Sequence, residues 1–196
     1  MAARHAIAAT DILPAEVYAA ERSQWHQRIG AVKKLRRLAV GPYVTFYFEN
    51  WQTMWHQIQE MLHIERGGEA QLADELAAYN PLVPNGHELA ATFMIEVADA
   101  ARRKQVLASL GGIEDTAFLE VAGETIHAVP EADQDRTTAE GKASSVQFVH
   151  FPFSAAQIAA FRRSGARVTL GLSHPAYSHM AMLPEATRAA LAEDFD

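Results

Sequence analysis

His56, Glu60 and His63 stand at i, i+4 and i+7 in the stretch FENWQTMWHQIQEMLHIERGG, which runs from Phe48 to Gly68. At about 100° per residue they fall on one helical stripe. Two imidazoles and a carboxylate in a row suit iron, zinc or manganese, and Glu60 with His63 forms a Glu-x-x-His pair. Ferritin-like di-iron sites need two such pairs on helices and two further glutamates, and only this one pair is found on a helix here. The row lies opposite an arc of Trp51, Met54, Trp55, Ile58, Met61 and Leu62, which marks the core side. It is a metal site only if a second layer covers it; otherwise it is a solvated face.

Other side chains offer chemistry from separate segments. Glu49 sits at a strand-to-helix turn, on the strand face of Tyr43, Thr45 and Tyr47, where it either favours the helix N-terminus or serves a site. Glu65 falls near the apolar arc, so it must be paired or marginal, because a lone buried carboxylate is costly. Glu96 ends the apolar strand ATFMIEV, as a wet terminus or an inward functional acid. In HPAYSH, Pro175 drives His174 toward extended backbone. His174 with Tyr177 then makes a ligand or proton-transfer pair, or simply a hydrogen-bonded turn. With Glu60 or Glu96 as general base, His174 or Tyr177 would be the catalytic partner.

Composition narrows these options. The 196 residues, 49% hydrophobic and 21% charged, suffice for one soluble domain with a real core. A formal charge of -7 argues against general binding to nucleic acid or anionic membrane. With no cysteine, the chain can hold no iron-sulfur cluster and no thiolate site, so any metal must rest on His, Asp and Glu. No signal peptide is expected at the start, and no stretch approaches the roughly 20 apolar residues of a membrane span, which points to the cytoplasm. Gly67-Gly68 and Gly111-Gly112 lack nucleotide-loop spacing, and no serine sits in a nucleophile elbow.

The elements that must position these groups are legible in outline. A helix over 14–37 carries Tyr18, Trp25, Ile29 and Val32 on one stripe and ends in KKLRR, a basic terminus or an anion patch. A buried strand covers 43–48, Asn50 caps a helix over 51–66, and a further helix covers 69–79. Next come a strand at ATFMIEV, a helix capped by Asp99, a hairpin in FLEVAGETIHAV turning at Ala122-Gly123, and a polar loop over 130–145. SVQFVHFPF, a helix over 154–165, the strand RVTLGLSHP and a helix after Pro184 complete the chain. The expected fold is α+β, a single domain with a mixed or antiparallel sheet. Its N-terminal part is helical, about 11–80, and its C-terminal part, about 88–196, is split-βαβ-like.

The stretches DILPAEVY, RRLAVGPYVTFYFEN, QIQEMLHIER, YNPLVP, ELAATFMIE, VQFVHFPF and LSHPAY together resemble a bacterial family, domain-of-unknown-function family 3501, over nearly the whole chain. FEN, QIQEM, ATFMIE and HPAY are its most specific signatures. Its polar motif positions fall on Glu49, Asn50, Gln57, Glu60, Glu65, Arg66, Tyr79, Asn80, Glu96, His174 and Tyr177. The family pattern has arginine at His63, which shifts weight from the histidine row to a carboxylate-rich site of Glu49, Glu60, Glu65 and Glu96 with His174. The resemblance also implies a cytoplasmic protein associated with rubrerythrin-like and iron-sulfur oxidoreductase proteins.

Three functions are therefore expected as alternatives. The first is an accessory protein of a redox or peroxide-stress system that binds iron or another divalent metal. The second is a small-molecule enzyme with a Glu/His acid-base site, and the third a docking module using KKLRR or an aromatic patch. The sequence sets no oligomeric state.

Overall fold

The computed structural model describes residues 4–131, 137 and 141–196; half of the expected polar loop over 130–145 lies outside them. In chain order the elements are α1 (Ala15–Lys34), β1 (Arg37–Val40), β2 (Val44–Glu49), α2 (Trp51–Glu65), α3 (Gly68–Tyr79), β3 (Glu88–Ile95) and α4 (Ala100–Ala108). They continue with β4 (Ala117–Val121), β5 (Glu124–His127), β6 (Val129–Pro130), β7 (Val146–Pro152), α5 (Ala155–Arg162), β8 (Val168–His174), β9 (Tyr177–Met182) and α6 (Glu185–Leu191). The α+β class is as expected, and its strands are shared between two antiparallel sheets, ordered β1-β2-β3-β7-β6 and β5-β4-β8-β9.

Alternation along the strands sorts the side chains. Val44, Phe46 and Phe48 of β2 pair in register with Ile95, Phe93 and Ala91 of β3, and all six point into one large core that also takes Leu119 of β4 and Leu170 of β8. The opposite face of the first sheet carries Tyr47 and Glu49 beside Thr92 of β3 and Phe148 of β7. Helices cover that face. Met54, Trp55 and Ile58 of α2 join Tyr18 of α1 and Leu82 in a second apolar cluster, on which Phe148 packs. Glu49 is buried by this cover, not by the main core.

Arg36 locks the cover in place. Its side chain is nearly fully enclosed and donates to the backbone carbonyls of Phe48 (2.9 Å), Glu49 (3.0 Å) and Ala190 (3.3 Å). It also donates to the carboxylate of Asp194. Within KKLRR only Arg36 turns inward: α1 stops at Lys34, Arg37 begins β1, and Lys33, Lys34 and Arg37 are exposed. The last residues of the expected helix over 14–37 therefore go to a strand, because Leu38 and Val40 pair with β2 across the Gly41 turn.

HPAYSH is also more than a strand's end. His174 pairs with Tyr177 across a turn at Pro175-Ala176, and β9 runs back along β8. The Tyr177 hydroxyl accepts from the N–H groups of Tyr43 (2.9 Å) and Val44 (3.1 Å) and donates to the carbonyl of Val40 (2.8 Å). It binds the β1–β2 turn of one sheet to β9 of the other. Gly41, at φ 72°, is required there, since a Cβ would lie 2.7 Å from the Tyr177 oxygen and 2.6 Å from the His179 ring.

Tyr177→Phe removes all three bonds while keeping the ring. It should destabilise the chain by about 1–3 kcal/mol, with Tm falling roughly 2–4 °C per kcal/mol; thermal and urea unfolding would read this, with helix content unchanged. At the other edge, His150 Nε2 meets Glu131 at 2.7 Å and Nδ1 meets Glu88 at 3.3 Å. The Glu88 bond leads in raising its pKa above the usual 6.5. A raised histidine contributes stability fully below its unfolded pKa and loses it as pH rises through the folded one. The stability advantage of the native chain over His150→Gln should therefore be largest below pH 6.5 and shrink above it, as urea midpoints across that range would show.

Candidate metal centre

A second layer does cover the histidine row. Tyr18, Arg22 and His26 recur at i, i+4 and i+8 on α1, and this stripe packs on the stripe of His56, Glu60 and His63 on α2. The helix pair is held by apolar neighbours on the same sides: the Trp25 and Trp55 rings lie 4.6 Å apart, and Tyr18 meets Trp55 edge-on at 6.3 Å. Asn50 fixes the start of α2, its side chain accepting from the N–H of Thr53 at 3.0 Å. Arg66, in left-handed conformation at φ 56°, ends it.

Glu60 is the hub of the interface. Its Oε1 accepts from the Tyr18 hydroxyl (2.6 Å) and Arg22 Nε (2.9 Å) and lies 3.2 Å from His26 Nε2. Its Oε2 accepts from the Arg22 terminal nitrogen at 2.7 Å. Arg22 first, then Tyr18 and His26, hold this carboxyl well below the usual carboxylate range, against the opposing effect of burial. Burial foremost, with Glu60 also acting, pushes the Tyr18 phenol up.

His56 completes the group. It is 7% exposed, its ring centroid lies 5.1 Å from that of His26, and burial pushes its pKa down to about 4. The imidazole is therefore neutral near pH 7, the form that ligates metals. Its Nε2 is buried and has no hydrogen-bond partner. One ligand atom each from His26, His56 and Glu60 lie within 4.8 Å of one another, the sole such group of three among the described residues. Two imidazoles and one carboxylate are the donor set of many non-haem iron sites.

The remaining expected residues do not join them. His63 turns its ring edge to Tyr18 at 5.9 Å and lines a neighbouring groove of about 590 Å³ with Gln59 and Leu72. Glu65 is exposed and accepts from Gln71 at 3.1 Å, so its place near the apolar arc is resolved at the helix margin. Glu96 lies just past the end of β3 and is exposed, accepting from Thr45 (2.6 Å) and Tyr47 (3.3 Å). His174 faces the carbonyl of Gly111 through Nε2 (3.2 Å) and accepts from the N–H of Ala176 through Nδ1 (3.1 Å), which places its proton on Nε2. Glu49 is bound by Thr53 and Thr92 in a different place.

The expected carboxylate-rich site of Glu49, Glu60, Glu65, Glu96 and His174 is thus not assembled. Neither Glu60 nor Glu96 meets His174 or Tyr177, and Tyr177 is committed to backbone. Glu60 is held from α1, Glu49 by Thr53 and by Thr92 of β3, Glu65 by Gln71 of α3, and Glu96 by Thr45 and Tyr47 of β2. His26 is the residue that sequence reasoning missed. The spacing of Tyr18, Arg22 and His26 was its signal, a polar stripe beside the apolar one on α1.

A family model described as "Protein of unknown function (DUF3501)" matches residues 6–195. Among solved structures, the chain is similar to the crystal structure of a novel protein of unknown function from Burkholderia pseudomallei K96243. The TM-score is 0.90 at 38% identity, covering 97% of this chain and 99% of that one. No curated protein matches the chain. The family match takes in both helix stripes, the Glu49 turn and the Tyr177 corner, and the chain therefore belongs to the DUF3501 family.

Proposed function

We propose that this chain is a divalent-metal-binding protein, with His26, His56 and Glu60 holding iron or another first-row ion between α1 and α2. The observation that carries the reading is that His26, His56 and Glu60 each bring one ligand atom within 4.8 Å of the others, while His56 is buried and its Nε2 has no hydrogen-bond partner. A buried polar atom left unpaired costs about 1–3 kcal/mol, and a metal ion would satisfy it. His56 needs no deprotonation near neutral pH, because burial already keeps it neutral. Arg22 is the competing cation on Glu60.

With no cysteine in the chain, a metal held here rests on His, Asp and Glu ligands. We read the chain as a cytoplasmic accessory component of a redox or peroxide-stress system, working beside rubrerythrin-like or iron-sulfur oxidoreductase partners. Among the described residues no helix is long and apolar enough to cross a membrane.

The test is metal analysis after loading with Fe(II), Mn(II) or Zn(II) and desalting. One ion per chain is expected. His56→Ala and Glu60→Gln should each lower affinity by more than about tenfold, whereas Arg22→Gln should strengthen binding by removing the rival cation. Chelation should lower the Tm of the loaded protein. A native chain that retains none of these ions, or ligand variants that bind them as the native chain does, would remove the metal from this account.

A further inference from the structure

A second cavity, of about 370 Å³, lies between the outer face of the first sheet and its helical cover. Small-molecule sites run from about 300 to 1,000 Å³, largely apolar with a few placed polar groups. Met54, Leu82, Met94, Val146 and Phe148 supply the apolar wall. Glu49, Gln57, Tyr79 and Thr92 supply the polar end, with Tyr47, Lys33 and Arg36 also facing the space. It shares no lining residue with the metal centre.

Glu49 gives the cavity its chemistry. The residue is 8% exposed, yet among the described residues its carboxyl has no ion pair. Oε2 accepts from the Thr53 hydroxyl at 2.6 Å and Oε1 from the Thr92 hydroxyl at 2.9 Å, both neutral donors. Each oxygen keeps a second lone pair. The adjacent guanidinium, Arg36, is spent on Asp194 and on backbone carbonyls, including that of Glu49 itself. Burial accordingly pushes the Glu49 carboxyl up, with Thr53, Thr92, Lys33 and Arg36 opposing. A carboxylate enclosed without a counter-charge at the wall of a ligand-sized cavity is complementary to a cationic donor.

We propose that this cavity binds a small molecule carrying a primary ammonium on an apolar body, with the ammonium against Glu49 and the body between Phe148 and α2. An ammonium offers three donors, and the Tyr79 oxygen and Gln57 amide stand at the same polar end. A carboxylate ligand would oppose Glu49, and a hydrocarbon would leave it unpaired. Lys33 is exposed at the cavity's edge and suits a carboxylate on the same ligand. Simple amines and apolar amino acids are therefore two sources of one chemistry.

The experiment titrates the native chain with phenethylamine, phenylalanine and 3-phenylpropionate, by calorimetry and by thermal shift. At least one ammonium ligand should bind saturably and raise the Tm, and 3-phenylpropionate should not. Tighter binding of phenylalanine assigns the amino-acid source, and tighter binding of phenethylamine the amine. Glu49→Gln, nearly isosteric, should weaken the better ligand by about ten- to a hundredfold. Met94→Trp, which fills the cavity from its exposed edge and leaves Glu49 in place, should abolish binding and decides the matter if the first variant fails to fold. Lack of binding by both ammonium ligands to about 10 mM, equal binding of the propionate, or unaltered binding in a folded variant would overturn the proposal.

Discussion

Arg36 stands where three parts of the chain must agree. It follows the last turn of α1, its own carbonyl accepts from the N–H of Phe48, and its guanidinium grips the carbonyls of Phe48 and Glu49, that of Ala190, and the Asp194 carboxylate. Glu49 immediately precedes Asn50, the cap of α2. The end of α1 is therefore tied to the beginning of α2 through one buried side chain. That tie sets how the two helices cross the sheet, and hence that Tyr18, Arg22 and His26 face His56 and Glu60. It is not obviously a gain in stability. Burial pushes the Asp194 carboxyl up despite the guanidinium beside it, the mark of a pair whose desolvation rivals its attraction. What the pair supplies is position.

Glu49, just before α2, and Glu60, within it, show what position can do with one functional group. Glu60 receives a guanidinium, a phenol and an imidazole and is held ionised. Glu49 receives two threonine hydroxyls beneath the helical cover, and burial pushes its carboxyl toward the neutral form. Environments that drive like groups apart in this way divide their chemistry. A carboxylate already surrounded by donors and cations can exchange one of them for a metal. One without a counter-charge gains most from a ligand that brings it.

Much of this fold was legible in the chain, and the illegible parts share a cause. The arc of Trp51, Met54, Trp55 and Ile58, the Asn50 cap and the Ala122-Gly123 hairpin all speak through near neighbours in sequence, and each is in place. The four-residue β1 was hidden beneath the basic helix end, and β9 has mostly exposed residues with no clean alternation. Periodicity shows which side of α2 is polar but not that another helix will cover it. Periodicity alone therefore does not point to His26, and it leaves the row of His56 and Glu60 open between a covered site and a solvated face. Glu49 could be placed at its turn, yet its cavity is closed by Thr92 and Tyr79, distant in the chain, and nothing in their spacing brings them to it.

The threonine that follows links these features more tightly than separate sites would suggest. Thr53 Oγ1 accepts from the N–H of Asn50 at 2.9 Å, within the reciprocal cap of α2, and donates to Glu49 at 2.6 Å. One hydroxyl thus closes the helix cap and orients the buried carboxyl. Glu49 in turn has its backbone carbonyl held by Arg36. The carboxyl cannot shift far without loosening the cap, and the cap cannot loosen without disturbing the helix that carries His56 and Glu60. Thr53, Glu49 and Arg36 form one continuous hydrogen-bonded unit at the N-terminal end of α2, and the opposed electrostatics along that helix rest on its rigidity.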